Sequence, residues 1–547
     1  MKAVILALVA YATASPYASI TKRQSSGTSS APITDISTIQ RYWGQITPYF
    51  DNNETYFGVN DTGLPDGCQI EQVHLLERHG SRFPTGYYDD GLNDANFAEK
   101  LVNLTKANAS AEFTGELAFL NGYEYKLGSG LLVGRGAVQS FDAGVTFWQR
   151  YGRTLYNATA GQLAYNASFP NGTARPKPTL RTTGQSRIWN SEINWALGFF
   201  GPSFETDPNP TIANATSPYN LVVIPEGGTE NNTLASYDSC FNDNDDPTGQ
   251  IGDINLIQYL KIYLKDATER LQQYAPSGFN LTVNDTYAMQ SICAYETNYL
   301  GSSSFCNLFT LEEWQGFEQT LDIEYYYDYS FGNPTGRAQG IGYLLELLSR
   351  LQHQPITSSN SSINATIDAN STDFPLNQHF YADFSHDDIL VSVLTAMSFD
   401  YLKDPPSLTA YPPNPNRHFI LSHLTPFAAK LITEVVGCGS SNPEPVQSTR
   451  TYTTPTQFGY DPNNATYKFV RMRLNHGILP LSEIRGGACG NRTDGMCARE
   501  NFLDSQKDAY ELSQYDYACF GNYTISNVTG GVDYDGAISA SNSTRRR

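Results

Sequence analysis

The sequence predicts an α/β fold in which a sheet domain is interrupted by a smaller, mostly helical domain. Strand-like and helix-like segments alternate near both ends of the 547-residue chain, whereas the middle carries successive amphipathic helical patterns. This order favours a discontinuous α/β domain formed by residues 24–200 and 351–525, with residues 201–350 inserted as the helical domain. Residues 526–547 are expected to form a flexible tail.

Four segments have strand character: Ile70–Leu76, Thr179–Gly184, His379–Phe384 and Tyr467–Leu474. The apolar run from Val73 to Leu76 is typical of a buried strand, and Thr179–Gly184 is interpreted as a strand end with its turn. In Tyr467–Leu474 the residues alternate, so Arg471 and Arg473 are expected to point outward.

Helical periodicity appears in five segments: Ser186–Phe200, Ile254–Leu271, a segment beginning at Thr310, Arg337–Leu351 and Ile389–Met397. Gly201 is placed to end the first helix, and Thr310 to Glu313 has capping-box form. Residues 202–252 are rich in Asn, Pro and Asp and are interpreted as loop. The acidic stretch Tyr87–Asp94 is expected to be exposed.

Composition excludes several classes of partner. The formal net charge is -20 and the pI is about 4.8, which disfavours binding to nucleic acid or to an anionic membrane. After the first residues, no apolar run approaches the ~18 residues that a membrane-spanning helix needs. We therefore expect neither a nucleic-acid partner nor membrane insertion.

The first residues resemble a secretory signal. Lys2 supplies the positive end, Ala3–Ala10 the apolar region and Ala12 to Ala14 a small-residue cleavage site. The alternative is a buried N-terminal strand or helix. The dibasic pair Lys22-Arg23 is a candidate second processing site, so residues 1–23 are predicted to be a signal peptide with a possible propeptide.

Asn-x-Ser/Thr sequons are numerous, and this density after a signal peptide predicts a secreted protein that carries N-linked glycans. The sequon asparagines are Asn53, Asn60, Asn103, Asn108, Asn157, Asn166, Asn171, Asn214, Asn231, Asn280, Asn284, Asn360, Asn364, Asn370, Asn464, Asn491, Asn522, Asn527 and Asn542. The 8 cysteines include no Cys-x-x-Cys pair, which in a secreted chain favours four disulfides over a metal site.

The most informative stretch is Arg78-His79-Gly80-Ser81-Arg82-Phe83-Pro84, directly after the first predicted strand. Ligands bind at the carboxyl ends of strands in open α/β sheets. Arginine forks match phosphate oxygens, and a neutral imidazole can attack phosphorus. A short Arg-His-Gly could also be an ordinary surface loop, but the longer pattern with Arg82 and Pro84 is far more specific.

This pattern resembles the signature of the histidine acid phosphatases, which include the fungal phytases. The resemblance covers roughly Tyr42 to Cys519 and implies a phosphoglycerate-mutase-like sheet domain with an inserted helical domain. It also implies four disulfide pairs: Cys68–Cys438, Cys240–Cys519, Cys293–Cys306 and Cys489–Cys497.

The resemblance further implies roles for individual residues. His79 would be the nucleophile, with Arg78 and Arg82 holding the phosphate. The family's second signature matches His386-Asp387, where Asp387 would be the proton donor and His386 a phosphate ligand. The competing interpretation is that Asp387 or Asp388 merely caps the helix that follows.

A third arginine is expected from the segment Leu180 to Arg187, which fits the family's Arg-x-x-Gly-x-x-Arg pattern. Arg181 is the predicted phosphate ligand and Arg187 the competing choice. Either arginine could instead be a surface charge, since single arginines are usually exposed.

The expected activity is that of a secreted acid phosphatase of broad specificity. Phytase, acting on myo-inositol hexakisphosphate, is the alternative. Two departures from the phytase pattern weaken it: Thr85 to Asp90 is acidic and lacks lysine, and the second motif is His-Asp-Asp where many phytases have His-Asp-Asn. A non-catalytic secreted glycoprotein and an intracellular mutase are further alternatives, the latter opposed by the signal peptide and sequons. No cofactor is expected, because His379 and Asp383 near His386 do not form a recognisable metal spacing.

Overall fold

The computed structural model describes residues 31–88, 90–201, 217–228, 230–450 and 457–540. The predicted signal peptide and propeptide, Asp89 and the sequons at Asn214 and Asn542 therefore lie outside the described residues. Within the described part, no helix is both long enough and apolar enough to cross a membrane.

A mixed, eight-stranded sheet forms the centre of the described structure. Its strands are β1 (Cys68–Arg78), β2 (Thr179–Thr183), β3 (Asn220–Ile224), β4 (Phe380–Ser385), β5 (Lys430–Cys438), β6 (Tyr467–Leu474), β7 (Gly477–Ile478) and β8 (Met496–Ala498). The order is β3-β2-β4-β1-β5-β6-β7, with β8 also paired to β6. Strands β3, β2, β4 and β1 are parallel, whereas β5 and the strands beyond it pair antiparallel.

Nine longer helices accompany the sheet in the described residues. They are α1 (Leu92–Ala107), α2 (Gly134–Phe147), α3 (Ser186–Phe200), α4 (Ile251–Tyr263), α5 (Lys265–Gln272), α6 (Val283–Leu300), α7 (Leu311–Tyr329), α8 (Gly336–Gln352) and α9 (Asp387–Ala396). Short helices lie at Ile36–Ile39, Arg153–Leu155, Ala365–Asp368, Leu421–Leu424, Arg499–Ser505, Ala509–Ser513 and Tyr515–Phe520. The fold is thus α/β with a central sheet and many helices, as the sequence predicts.

Several predicted elements coincide with observed ones. Helix α3 and strand β6 have the predicted bounds. Helix α7 begins after Thr310, whose side chain accepts from the Glu313 amide while Glu313 bonds back, forming the expected capping box. The helix predicted over Ile254–Leu271 is instead divided at Leu264 into α4 and α5.

The sheet extends into the region predicted to be loop and helical insertion. Strand β3 pairs in parallel with β2 along its whole length. Its Leu-Val-Val-Ile core is short and lies within a stretch dominated by turn-forming residues, so periodicity did not reveal it. The predicted domain boundary at residue 201 therefore separates one strand from its sheet, and the division into two domains remains a prediction.

The predicted flexible tail is packed through residue 540. The Arg337 amide donates to the Gly536 carbonyl at 2.8 Å, and the Asp535 carboxylate lies 2.8 Å from Lys403 Nζ. Ile538 is buried in the main core. Only residues 541–547 of the predicted tail lie outside the described structure.

Arg471 and Arg473 are buried rather than directed outward. Both donate to Glu434 on the neighbouring strand, at 2.6 and 2.9 Å. Arg473 also reaches Glu54, and Arg471 the Thr62 carbonyl, so the 51–62 segment covers this face of the sheet. Alternation correctly put the two arginines on one face, but a polar face can be covered when each charge has a partner.

Four disulfides are present, with the pairing that the family resemblance implies. Cys68 and Cys438 lie opposite each other in the β1–β5 pairing, with Cα atoms 4.2 Å apart. This bond joins the first and fifth strands across a sequence separation of 370 residues. It secures the strand that leads into the Arg-His-Gly loop.

The sheet separates two hydrophobic cores. On one face Leu75 and Phe380 pack with Trp195 and Phe199 of α3, together with α2. On the other face Leu76 belongs to the larger core that contains the apolar residues of α7, α8 and α9. Packing on both faces fixes the carboxyl ends of the parallel strands.

Candidate active site

The two motif segments meet because β1 and β4 are parallel neighbours. Arg78 pairs in register with Ser385, so His79 and His386 each follow the carboxyl end of adjacent strands. Gly80 is required where the chain leaves β1, because a Cβ there would collide with the Gly136 carbonyl at the start of α2. The loop therefore packs against α2 at contact distance.

His79 is buried, and only one of its two ring nitrogens makes a hydrogen bond to the described residues. Nδ1 lies 2.8 Å from the Gly80 carbonyl, and a carbonyl only accepts, so Nδ1 carries the hydrogen. Nε2 then holds the lone pair, and it has no hydrogen-bond partner among the described residues. Burial, followed by the positive charges of Arg78 and Arg187, holds the pKa of His79 well below its usual range. The imidazole is therefore neutral.

Arg78 is fixed on three sides. Nη1 donates to the carbonyls of Gln45 and Thr425, and the guanidinium lies over the Phe427 ring at 4.5 Å. Nη2 lies 2.7 Å from Asp387 Oδ2. The arginine is thus held rigidly beside His79 with one edge directed at the second motif.

Arg82 is held by a carboxylate from the stretch that was expected to be exposed. Its Nη2 donates to Asp90, whose other oxygen accepts from Tyr295 at 2.8 Å. Asp90 and Asp94 are both buried. Asp90 is accommodated by its ion pair, whereas burial raises the pKa of Asp94 well above its usual range and so favours the neutral acid. The Tyr87–Asp94 stretch is therefore not a solvated acidic loop at these two positions.

His386 and Asp387 occupy the start of α9. His386, not an aspartate, is the N-cap residue, so the alternative in which Asp387 or Asp388 merely caps this helix is not what the structure contains. Nε2 of His386 lies 2.9 Å from Glu226 and 3.1 Å from the Tyr237 hydroxyl. Asp387 Oδ2 accepts from the Tyr325 hydroxyl at 2.6 Å.

The two carboxylates beside His386 differ in charge. Burial raises the pKa of Glu226, but the His386 imidazole and its hydrogen bonds outweigh this and lower the pKa below its usual value. Asp388 is buried, and desolvation raises its pKa to about 7. At acid pH Glu226 is thus the more readily charged group and Asp388 is neutral.

His79, His386 and Asp387 each contribute an atom to a cluster within 4.8 Å. Such a cluster could hold a cation, but Asp387 is already beside Arg78, and the charges of Arg82 and Arg187 also act on His79. Several cations around a neutral imidazole fit an anion such as phosphate better than a metal ion.

The sequence model described as the histidine phosphatase superfamily (branch 2) matches residues 69–475. The chain belongs to this superfamily. Phytase A of Aspergillus fumigatus is 32% identical over 451 residues, covering 81% of this chain and 88% of that protein. Phytase A of Aspergillus terreus is 30% identical over 84% of this chain and 87% of its own length.

The crystal structure of the phytase from D. castellii has the same fold. It superposes with a TM-score of 0.62 at 24% identity and covers 91% of each chain. Together with the family match, these relatives establish this histidine phosphatase as a phosphoric monoester hydrolase.

The structure does not bring Arg181 to the site of this histidine phosphatase. Its guanidinium is bound by Asp383 at 2.7 Å and Glu346 at 2.5 Å, with Asp368 at 3.7 Å. Residue 181 lies opposite residue 383 on the neighbouring strand, so its side chain joins a buried ion-pair cluster instead. Arg187, at the start of α3, is the arginine whose charge acts on His79.

Three further side chains around the motifs were not predicted from the sequence: Glu226, Tyr237 and Tyr325. Glu226 follows the carboxyl end of β3, and this strand was itself missed. Had β3 been recognised as parallel to β2, the edge of the sheet would have indicated Glu226. Tyr325 lies on α7 and carries no sequence signal, since aromatic residues are common on core helices.

Proposed function

We propose that this histidine phosphatase is a secreted, acid-active enzyme that hydrolyses phosphate monoesters through a phosphohistidine at His79, with inositol phosphates including phytate among its substrates. The observation that carries the proposal is the geometry of His79. Its Nε2 lone pair has no partner among the described residues and is surrounded by the charges of Arg78, Arg82 and Arg187. A neutral nucleophile next to several cations suits attack on a phosphate.

In the first step His79 Nε2 attacks phosphorus while Arg78, Arg82 and Arg187 neutralise the phosphoryl oxygens. The N–P bond forms as the P–O ester bond breaks. The leaving oxygen takes the proton of Asp387 and departs as the alcohol, which leaves Asp387 as a carboxylate. The Nδ1 hydrogen bond to the Gly80 carbonyl stabilises the positive charge that the ring acquires.

In the second step the Asp387 carboxylate takes a proton from water, and the resulting hydroxyl oxygen bonds to phosphorus. The N–P bond breaks, inorganic phosphate is released, and the electron pair returns to His79 Nε2. Asp387 ends protonated, so the cycle closes without a metal ion. Because a protonated Asp387 starts each turnover while the imidazole stays neutral in acid, we expect an acidic optimum.

Phytate replaces simple monoesters as the favoured substrate for two reasons. The relatives that match over most of this chain are phytases. In addition, two of the acidic groups that opposed a polyanion are accounted for, because Asp90 is paired with Arg82 and burial raises the pKa of Asp388 to about 7. Neither group presents an uncompensated negative charge at acid pH.

Release of inorganic phosphate from phytate, measured beside 4-nitrophenyl phosphate at acid pH, tests the proposal. We expect hydrolysis of both compounds and its loss in His79→Ala. Efficient cleavage of the aryl ester with no release from phytate would leave a simple phosphatase and contradict the substrate assignment. His418→Ala is the matched control, since His418 is exposed and stacks on Tyr401 away from the motifs.

Secretion and glycosylation are supported by the signal-like N-terminus, the sequon density and the four disulfides. Expression of the full chain in a secreting host should deliver enzyme to the medium. Treatment with a peptide N-glycosidase should then reduce its apparent mass. Retention inside the cell without a mass change would contradict this part of the proposal.

A further inference from the structure

Tyr325 on α7 makes the shortest neutral contact to Asp387, the acid of the proposed mechanism. Its hydroxyl lies 2.6 Å from Asp387 Oδ2, and both residues are buried. Helix α7 packs against α9, so the contact joins two helices of the larger core. Tyr325 lies between the two motifs in the sequence, and it reaches Asp387 from a helix rather than from a strand end.

The contacts to Asp387 fall on one of its two oxygens. Oδ2 receives the Tyr325 hydroxyl and lies 2.7 Å from Arg78 Nη2. Oδ1 receives no hydrogen bond from the described residues. Because Oδ2 is engaged on two sides, a proton on the carboxyl resides on Oδ1.

Arg78 and Tyr325 hold Oδ2 in different ways. The Arg78 guanidinium is a charged donor, of the kind that also binds phosphate oxygens. A phenol hydroxyl is uncharged and can donate to the carbonyl oxygen of the acid as well as to the carboxylate. Arg78 is also needed by the phosphate, whereas Tyr325 can keep its contact with Oδ2 throughout the reaction.

We propose that Tyr325 is a positioning residue for this reaction: it holds Oδ2 of Asp387 so that the protonated Oδ1 faces the leaving oxygen. The inference rests on the proposed function, because it assumes that Asp387 protonates the leaving group. It adds a specificity consequence, since only substrates whose leaving oxygen needs a proton depend on this alignment.

Tyr325→Phe tests the role, because it removes the hydroxyl and keeps the ring that packs 5.1 Å from the Tyr329 ring. The measurement is kcat/KM, which reports the step in which the leaving group departs. For an alkyl ester such as glycerol 2-phosphate we expect a loss of about tenfold, against less than about twofold for 4-nitrophenyl phosphate, whose phenolate leaves without a proton.

Tyr326→Phe is the matched control on the same helix. Its hydroxyl also makes a 2.6 Å hydrogen bond, but to the Lys403 carbonyl outside the motifs. Tyr326→Phe should leave the ratio of kcat/KM for glycerol 2-phosphate to kcat/KM for 4-nitrophenyl phosphate unchanged. Thermal unfolding of both variants measures any loss of stability, which would lower the amount of active enzyme without changing the ratio between the two substrates.

An equal loss for both esters in Tyr325→Phe, no loss for either, or the same selective loss in Tyr326→Phe would overturn the inference. The proposed function fails in a different way. If the wild-type enzyme hydrolyses neither ester, or if His79→Ala retains activity, the mechanism itself is wrong, whatever Tyr325→Phe does.

Discussion

Two buried clusters of arginine and carboxylate lie at neighbouring strands of one sheet, and they serve different ends. Around Asp383, Arg181 and Arg350 are bound by carboxylates at 2.5–2.7 Å. Around His79, three arginines act on a neutral ring. The two clusters contain the same types of charged residue, so they are distinguished by the balance between positive and negative side chains.

The cluster at Asp383 is electrically closed. Asp383 and Glu346 compensate the two arginines, and burial followed by the charge of Glu346 raises the pKa of Asp368 to about 8, which keeps this third carboxyl neutral at acid pH. The Arg181 and Arg350 guanidiniums lie against the Phe374 ring. Such a cluster locks β2 and β4 to α8, and it has no net charge with which to bind an anion.

The cluster at His79 is electrically open. Asp90 compensates Arg82, Asp387 lies beside Arg78 but is neutral when a turnover starts, and the Glu226 carboxylate is engaged with His386. Nε atoms of Arg78, Arg82 and Arg187 have no hydrogen-bond partner among the described residues. An excess of positive charge with unused donors is what a phosphate-binding site requires, and it separates this cluster from its structural neighbour.

Removal of the nucleophile should have the largest effect. His79→Ala should reduce kcat by at least about 10⁴-fold, because the atom that attacks phosphorus in the proposed mechanism is removed. Rapid acid-labile labelling of wild-type enzyme with radioactive substrate, followed by peptide mapping, should place the phosphate on His79. Turnover by a folded His79→Ala protein, or label on another residue, would refute the assignment.

Replacing each of the two competing arginines by alanine tests the difference between the two clusters directly. Arg187→Ala should lower kcat/KM by about 10²–10³-fold with little change in the unfolding midpoint, because a phosphate donor is lost from a half-buried position. Arg181→Ala should instead lower the free energy of unfolding by about 3–5 kcal/mol, because Asp383 and Glu346 are left buried with less compensation.

Kinetics and urea unfolding of both arginine variants separate the two roles. The folded fraction of Arg181→Ala should retain nearly all of the wild-type kcat/KM. A stable but inactive Arg181→Ala enzyme, beside an active Arg187→Ala enzyme, would restore Arg181 as the phosphate ligand and invert the comparison.

Arg181 and Arg187 also show which features of the site can be predicted from the sequence and which cannot. The motif residues are contiguous and follow strong strand signals, so the sequence was sufficient to place His79, Arg78 and His386 at the ends of parallel strands. Arg181 and Arg187 both fit one pattern, and the choice depends on partners such as Glu346 that are distant in the chain. Periodicity indicates which face a residue occupies but not which charge from another element will meet it there.

The acid of the mechanism offers the next test. Asp387→Asn should lower kcat/KM for glycerol 2-phosphate by about 10²-fold or more, and that for 4-nitrophenyl phosphate much less, because only the alkyl leaving group needs a proton. Measurement of kcat/KM over a series of esters with graded leaving groups should show a steeper dependence in Asp387→Asn than in the wild type. A parallel loss for all esters would show that Asp387 does not act as the acid.

Asp388 is the neighbour of Asp387 in the sequence, and the two carboxyl groups differ in whether an arginine lies beside them. Asp387 is beside Arg78, whereas burial, together with the negative charges of Asp387 and Asp243, raises the pKa of Asp388 to about 7. An unfolded aspartate ionises near pH 3.9, at about the ordinary value. Between about pH 4 and about pH 7 the unfolded state therefore gains a charge that the folded state resists, and the contribution of Asp388 to wild-type stability falls as pH rises.

Asp388→Asn removes this titration, so its stability relative to the wild type should increase as pH is raised from about 4 to about 7. At pH about 4 the wild-type carboxyl is already neutral, and the ratio of phytate to aryl phosphate activity should change by less than about twofold in the variant. The ratio should diverge in the variant's favour only above pH about 7, where the wild-type group becomes charged. A large gain in phytate activity at acid pH would mean that Asp388 is ionised and faces the substrate, and the second motif would then be a determinant of substrate preference after all.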